Sequence, residues 1–159
     1  MTSTSYQGIP GILRPFKEYL DAWSLPSGAE IVFYGVPGTC TPFVELLCYA
    51  ARSLSCTFFF VPYLNELESR KMVFTEGIGF QIGDLCPVSN PSVIVVMGGL
   101  AMPGIPVSPE QAETVFKKYP DVARVGICFM HMFQKSGWLE RITFDLLIDA
   151  TIDVNVESL

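Results

Sequence analysis

Two glycine-bearing turns, each directly after a run of strand-forming residues, most constrain what this chain can fold into. The first turn covers residues 35–41 and follows the apolar segment 30–34, and the second covers residues 98–104 and follows segment 93–97. In open α/β sheets, a glycine turn between a strand and a helix lets the backbone approach a ligand, and the helix start offers free N–H groups. The sequence therefore predicts a crevice at the carboxyl ends of these two strands.

The segments around these turns alternate between strand-like and helix-like patterns. Further strands are predicted at residues 56–61, 125–130 and 144–150, and helices at residues 12–23, 43–54 and 109–118. Thr41 is the expected N-cap of the second helix, with Pro42 in its first position, and Ser108 and Gln111 have capping-box spacing for the third. This order predicts a single α/β domain over residues 1–159, with a mostly parallel open sheet flanked by helices, Rossmann-like or flavodoxin-like.

Two segments leave the edges of the sheet open to alternatives. Residues 72–75 and 79–82 fit either a hairpin or one broken strand, and residues 152–156 alternate like an edge strand. Asp145, Asp149 and Asp153 repeat at four-residue spacing and are expected to form a solvated edge that discourages sheet pairing. The predicted fold therefore allows for an antiparallel edge strand.

The composition indicates how the chain meets its surroundings. Apolar residues make up 50% of the chain and charged residues only 16%, against roughly 25% charged in an average soluble domain. Because few charges are available to cover a monomer, we expect an apolar face buried in a homodimer or larger assembly. The net charge of −6 argues against nucleic acid or an anionic membrane as a partner. The start of the chain does not resemble a secretory signal, so a cytoplasmic location is expected.

A resemblance to a known family is carried by the string Gly98-Gly99-Leu100-Ala101-Met102-Pro103, together with the first glycine turn and the chain length. The sequence resembles a small family of uncharacterised archaeal proteins that is found mainly in methanogens. The resemblance covers nearly the whole chain, and the six-residue string is its most specific part. Because the family carries no established activity, the resemblance implies a cytoplasmic archaeal setting and no particular chemistry.

The favoured interpretation is a small-molecule-binding domain with its crevice between the two turns. No Lys or Arg lies between Glu18 and Ala51 or between Met72 and Phe116, so a polyphosphate would depend on backbone amides and a helix dipole alone. A small ligand, neutral or singly charged, is expected instead, and no cofactor is indicated. A tight turn without a ligand would explain Gly35 and Gly38 equally well. The candidate ligand-binding residues are Gly35, Gly38, Thr39, Thr41, Gly98, Gly99 and Met102.

A thiol-dependent enzyme is the alternative interpretation. Cys40 lies next to a helix start, which would lower its pKa, and His131 follows a parallel strand at the same edge of the sheet. Cys40 as nucleophile and His131 as base would form a catalytic dyad. Cys128 and His131 also have a Cys-x-x-His spacing, but one such pair falls short of a zinc site, so no metal is expected. A structural homo-oligomer without a ligand is the third alternative.

Overall fold

The described part of the chain, residues 2–158 of a computed structural model, is built on one seven-stranded sheet. Its strands in chain order are β1 (Glu30–Gly35), β2 (Thr57–Pro62), β3 (Arg70–Thr75), β4 (Gly79–Leu85), β5 (Pro91–Met97), β6 (Ala123–Phe129) and β7 (Leu146–Ala150). Across the sheet they lie in the order β4-β3-β2-β1-β5-β6-β7. The β2–β1, β1–β5, β5–β6 and β6–β7 pairs are parallel, and the β2–β3 and β3–β4 pairs at one edge are antiparallel. The predicted α/β class is confirmed.

Helices cover both faces of this sheet. They are α1 (Pro10–Ala22), α2 (Thr41–Ala50), α3 (Pro109–Phe116) and the short α4 (Met132–Lys135). Phe16 of α1 packs against Phe33 of β1, while Phe116 of α3 packs against the next residue, Tyr34. Because successive strand residues point to opposite faces, α1 and α3 lie on opposite sides of the sheet. The helix α2 contacts α1 and shares its side. No helix described over residues 2–158 is long and apolar enough to cross a membrane.

The strand order places a crevice at the two glycine turns. The five parallel strands are β1, β2, β5, β6 and β7. Numbered 1 to 5 along the chain, they lie across the sheet in the order 2-1-3-4-5, which is that of flavodoxin-like sheets. The chain moves from β1 outward to β2 on one side and returns to β5 on the other side of β1. In open sheets, the crevice at such a reversal lies outside the carboxyl ends of the two strands. The two turns follow β1 and β5 and therefore meet there.

The predicted N-cap is confirmed for α3 but not for α2. Ser108 and Gln111 form the predicted capping box. The Ser108 hydroxyl accepts from the backbone N–H of Gln111 at 3.2 Å, and the side-chain oxygen of Gln111 accepts from the backbone N–H of Ser108 at 2.8 Å. The prediction that Thr41 caps α2 was wrong, because the chain is already helical at Cys40, whose amide donates to Val36. Thr41 is the first helical residue, and its hydroxyl accepts from the Gly38 amide at 3.2 Å.

The edges of the sheet also differ from one expectation. The undecided segment is a hairpin of β3 and β4. Residues 151–158 form no strand, so the predicted edge strand at residues 152–156 was wrong. Ile152, Val154 and Val156 are 49%, 74% and 88% exposed. The alternating pattern has no buried face here that would fix it against β7.

On the α3 side of the sheet, the carboxylate of Glu66 links strand β1 to the segment that follows α3. Glu66 lies in a single 3₁₀ turn (Glu66–Glu68) after β2. It accepts hydrogen bonds from the hydroxyl of the fully buried Tyr34 at 2.7 Å and from the hydroxyl of Tyr119 at 3.0 Å, and Lys118 donates to it at 3.0 Å. Burial raises the pKa of Glu66, but these three donors outweigh burial and hold the pKa below its ordinary value.

This network predicts a pH dependence of stability. Because the pKa of Glu66 is lower in the folded protein, its contribution is present above pH 4.5 and is lost as the pH falls through the folded value. We expect the free energy of unfolding of Glu66→Gln, measured with urea, to fall less steeply below pH 4.5 than that of the wild type. The exposed Glu68→Gln variant serves as the control and should keep the wild-type slope. Equal slopes for all three proteins would contradict the assignment.

Candidate functional site

A pocket of about 190 Å³ opens at the carboxyl ends of β1, β5 and β6. The first turn and the start of α2 supply one wall, with Thr39, Cys40 and Phe43. Thr39 is exposed and lies at the end of the turn, whereas Cys40 is buried to 4% exposure. The sequence-predicted crevice is therefore the place where the structure has a pocket.

The second turn supplies the opposite wall. Met97 ends β5, and Gly98 and Gly99 begin a 3₁₀ turn (Gly98–Ala101) that leads to the 40% exposed Met102. A side chain at Gly98 would overlap Cys128 of β6, including its backbone, so this position requires glycine. The two glycines make this wall from bare backbone.

The end of β6 and the short α4 close the third side. Ile127 and Phe129 of β6 and Met132 of α4 line the pocket here. The ring of Phe129 lies 4.6 Å from that of Phe43, measured between centroids, so the first and third walls touch. Among the described residues no charged side chain lines the pocket, and its polar side-chain atoms are the hydroxyl of Thr39 and the thiol of Cys40. A charged ligand group in this lining would lose hydration without a counter-charge.

Cys40 holds the two turns together. A Cβ at Gly99 would overlap the Cys40 sulfur, and a Cβ at Gly35 would lie 2.9 Å from the Cys40 Cβ. Both glycines are therefore needed because the cysteine side chain fills the space between the turns. Gly38 has a different role, since its φ of +79° is a left-handed conformation that favours glycine.

Burial, rather than the helix start, dominates the chemistry of Cys40. Burial raises the pKa of its thiol, and hydrogen bonds from the Val36 and Gly99 backbones only partly oppose the shift. The lowered pKa expected from the helix start was therefore wrong. The predicted ligand-binding residues Thr39, Gly98, Gly99 and Met102 line the pocket with Cys40. The remaining three, Gly35, Gly38 and Thr41, shape the first turn instead.

His131 is held by a partner outside the pocket lining. Its Nδ1 lies 2.7 Å from Asp149 Oδ2, and its backbone N–H donates to Asp149 Oδ1 at 3.0 Å. Within residues 2–158 no hydrogen bond joins it to Cys40, so the dyad stays a prediction. Asp149 lies exposed on the edge strand β7, as expected, but it has a partner there in His131. Asp145 is partnered too, since it accepts from the Arg124 amide at 2.8 Å.

The Asp149 contacts fix an unusual backbone turn. Met130 and His131 are consecutive non-glycine residues with left-handed φ values of 55° and 61°. Such conformations cost about 1 to 3 kcal/mol each and persist where surrounding contacts hold them. The turn begins α4 and thereby brings Met132 to the pocket.

The Cys128–His131 spacing leads to no cluster of metal ligands. In the part of the chain that the structure describes, no group of three or more His, Cys, Asp and Glu side chains is placed to hold a metal ion. Cys128 lies inside β6 at 1% exposure, and burial raises its pKa to about 11.

Sequence reasoning missed five of the lining residues. They are Phe43, Met97, Ile127, Phe129 and Met132. A usable signal was present, since Met97 and Phe129 are the last residues of two apolar strands. Side chains at the carboxyl ends of the strands next to the crevice are the natural candidates for its lining.

The contact between the turns predicts an energetic coupling. Gly99→Ala should lower the free energy of unfolding by about 1 to 3 kcal/mol, because its Cβ would overlap the Cys40 sulfur. In a Cys40→Ala background the same substitution should cost less, with a coupling energy of at least about 0.5 kcal/mol in a double-mutant cycle. Urea unfolding of the four proteins measures this coupling. Additive effects would show that the turns do not meet through Cys40.

The burial pattern also predicts the order of thiol alkylation in the folded protein. Cys56 and Cys86 are half-buried, whereas Cys40, Cys48 and Cys128 are buried. Because access and thiolate content both limit alkylation, we expect iodoacetamide to modify the two half-buried cysteines first and Cys40 slowly. Peptide mass spectrometry over time reads the order, with urea-unfolded protein as the reference. A fast Cys40 would restore the thiol-dependent alternative.

Comparisons with known proteins agree with the fold and the resemblance. A protein of Methanothermobacter thermautotrophicus with the name "Uncharacterized protein" is 37% identical over 147 residues, which are 88% of this chain and 92% of that protein. An uncharacterized protein of Methanocaldococcus jannaschii is 34% identical over 149 residues, covering 94% of this chain and 89% of that protein.

A solved structure gives the same result for the fold. It is the crystal structure of a protein of unknown function from Methanothermobacter thermautotrophicus, with a TM-score of 0.86 and 34% identity, covering 99% of this chain and 97% of that one. Residues 7–153 match one family over most of the chain. This chain therefore belongs to the family described as uncharacterized protein conserved in archaea (DUF2124).

Proposed function

We propose that this protein binds a small, uncharged, largely apolar molecule in the pocket between the turns at residues 35–41 and 98–104. The observation that carries this proposal is the lining at the strand-order reversal, which contains three methionines and two phenylalanines and, among the described residues, no charged side chain. Open α/β sheets bind their ligands at this place. An apolar lining with few polar atoms is the usual character of a small-molecule site.

The size of the pocket limits the ligand. An engineered protein cavity of about 150 Å³ with an apolar lining admits benzene. A pocket of about 190 Å³ therefore suits a molecule with one ring, or an aliphatic group of similar volume. It is smaller than the roughly 300 to 1,000 Å³ of sites for drug-sized ligands. A whole dinucleotide or flavin exceeds this volume.

The methionines favour an aromatic ring over a chain. Met97, Met102 and Met132 approach from two of the three walls, and their unbranched side chains adapt to the shape of a ligand. Thioether sulfur also makes favourable contacts with aromatic rings, worth about 0.3 to 1.5 kcal/mol each. Gly98 and Gly99 add backbone without side chains to this lining.

Polyphosphate ligands are not expected to bind. The lining supplies no Lys or Arg side chain within the described residues, and the chain as a whole carries a net charge of −6. ATP and NAD would therefore meet repulsion rather than attraction. The cytoplasmic setting expected from the sequence stays a prediction.

The thiol-dependent alternative has less support than binding. Burial raises the pKa of Cys40, the nucleophile of this alternative. The imidazole of His131, its base, is paired with Asp149. A catalytic role for Cys40 and His131 would require a rearrangement that brings the imidazole to the thiol.

Methionine methyl groups provide a direct test of the binding proposal. With ¹³C-methyl methionine labelling, benzene and indole should shift the NMR signals of Met97, Met102 and Met132. The buried Met72 of β3, at 3% exposure and outside the pocket, should not move. ATP as a charged probe should shift none of them. Equal shifts at Met72 would indicate non-specific partitioning and would contradict the proposal.

A matched pair of variants locates the binding. Met102→Trp should fill the pocket mouth and weaken indole binding at least about 10-fold. Leu139→Trp introduces the same side chain at a position that is also 40% exposed but lies outside the lining. Unchanged affinity in Met102→Trp, or equal loss in both variants, would place the binding elsewhere.

A further inference from the structure

On the α1 side of the sheet, α2 packs against β4 but leaves part of the β3–β4 hairpin exposed. Phe58 of β2 packs against Phe33, which contacts Phe16 of α1, so Phe58 faces the α1 side. Phe80 of β4 packs against Phe58 at 5.4 Å and therefore shares this face. Phe74 of β3 is directly opposite Phe80 in the ladder and lies on the same side.

This uncovered area continues onto α2. The ring of Tyr49 lies beside the start of β4, where a Cβ at Gly79 would be 3.7 Å away. Leu46 lies one helical turn before Tyr49. Ile82 and Leu85 are opposite Met72 and Arg70 in the ladder, which share the face of Phe74, and Ile78 lies in the turn between the two strands. We call the following set the hairpin face: Leu46, Tyr49, Phe74, Ile78, Ile82 and Leu85.

Every member of the hairpin face is a large apolar side chain that meets solvent. The exposed fractions are 40% for Leu46, 45% for Tyr49, 49% for Phe74, 67% for Ile78, 36% for Ile82 and 60% for Leu85. Single exposed apolar residues are normal, but a connected set on two packed elements marks an interaction site. A sheet face of this kind is stable when another layer covers it.

We propose that a second copy of this chain covers the hairpin face, in a two-fold symmetric homodimer. In such a dimer the same patch is used by both subunits, so an apolar patch meets an apolar patch. The proposal does not depend on the function of the pocket.

The charges around the hairpin face support a second copy as the occupant. Lys71, like Val73, points to the opposite face of β3. The other charges of residues 41–52 and 70–85 are two cations (Arg52 and Arg70) and three carboxylates (Glu45, Glu76 and Asp84), a mixed set with a local net charge of −1, while the chain carries −6. Two identical surfaces with one sign of charge would repel each other, whereas a nearly neutral surface with both signs largely avoids that penalty. A partner recognised by charge would instead require a rim of one sign.

The exposed apolar area supplies more than half of what a stable interface buries. A stable interface buries roughly 800 Å² on each partner. Six side chains that each expose about half of roughly 150 to 200 Å² supply roughly 500 Å². The polar rim supplies the rest, as in other interfaces, and Arg52 already lies 4.0 Å above the Tyr49 ring at its border.

Sedimentation equilibrium tests this interface. From about 1 to 100 µM the wild type should sediment as a dimer, with twice the chain mass of 17.6 kDa. Phe74→Lys should raise the dimer dissociation constant by about 30-fold or more, because it places a charge in the centre of the apolar patch. Ile78 is 67% exposed in the turn between β3 and β4, so Ile78→Lys should also raise the dissociation constant and leave the fold intact.

Val73→Lys is the matched control. Val73 neighbours Phe74, is similarly exposed at 46%, and points to the opposite face of the sheet. It should leave the dimer intact, and circular dichroism should show all three variants folded. A monomeric wild type at about 100 µM would mean that another occupant, or none, covers the face, and the proposal would be wrong. Equal dissociation by Val73→Lys, or an intact dimer in both Phe74→Lys and Ile78→Lys, would also overturn it.

Discussion

The packing of the Cys40 side chain between two glycine turns is the contact on which the rest of the site depends. Its sulfur occupies the space that a Cβ at Gly99 would take, and its Cβ packs close to Gly35. This contact fixes the separation of the β1 and β5 turns and therefore the width of the pocket beside them. The same packing removes the thiol from water and raises its pKa. A residue that first suggests a nucleophile is better explained as the spacer between the two turns, because both effects have one cause.

The third side of the pocket, formed by the end of β6 and by α4, depends on a backbone that is costly to form. Met130 and His131 both adopt left-handed conformations, at about 1 to 3 kcal/mol each, and Asp149 of the neighbouring strand holds the turn through the His131 ring and backbone. The result is that α4 starts immediately after β6 and brings Met132 to the pocket. Strain of this kind clusters at ligand sites, which is why it supports a binding function more than a purely structural one.

Features that depend on local sequence could be predicted, and features that depend on strand neighbours could not. The capping box of Ser108 and Gln111 is confirmed because the bonding groups lie three residues apart. Each glycine turn follows from an apolar strand that ends in glycine, which is also local, whereas the meeting of the two turns requires β1 beside β5. Thr41 was assigned to the wrong helix position, since the backbone turned one residue early. The pairing of His131 with Asp149 requires β6 beside β7, and the place of Phe129 in the pocket requires β6 beside β5. No spacing in a single sequence states either adjacency.

The low charge content of the chain becomes understandable from α2. This helix has apolar side chains on three sides. Val44, Leu47 and Cys48 face the core, and the start of the helix lines the pocket. Leu46 and Tyr49 belong to the hairpin face. A helix of 10 residues with only Glu45 as a charged side chain would be unusual on a monomer surface. Because one rigid helix touches both the pocket and the proposed dimer contact, any change of α2 on ligand binding would act on the dimer, and the dimer would act equally on the ligand. The two uses that we propose for the excess of apolar residues, the pocket and the dimer contact, thus meet on the same ten residues.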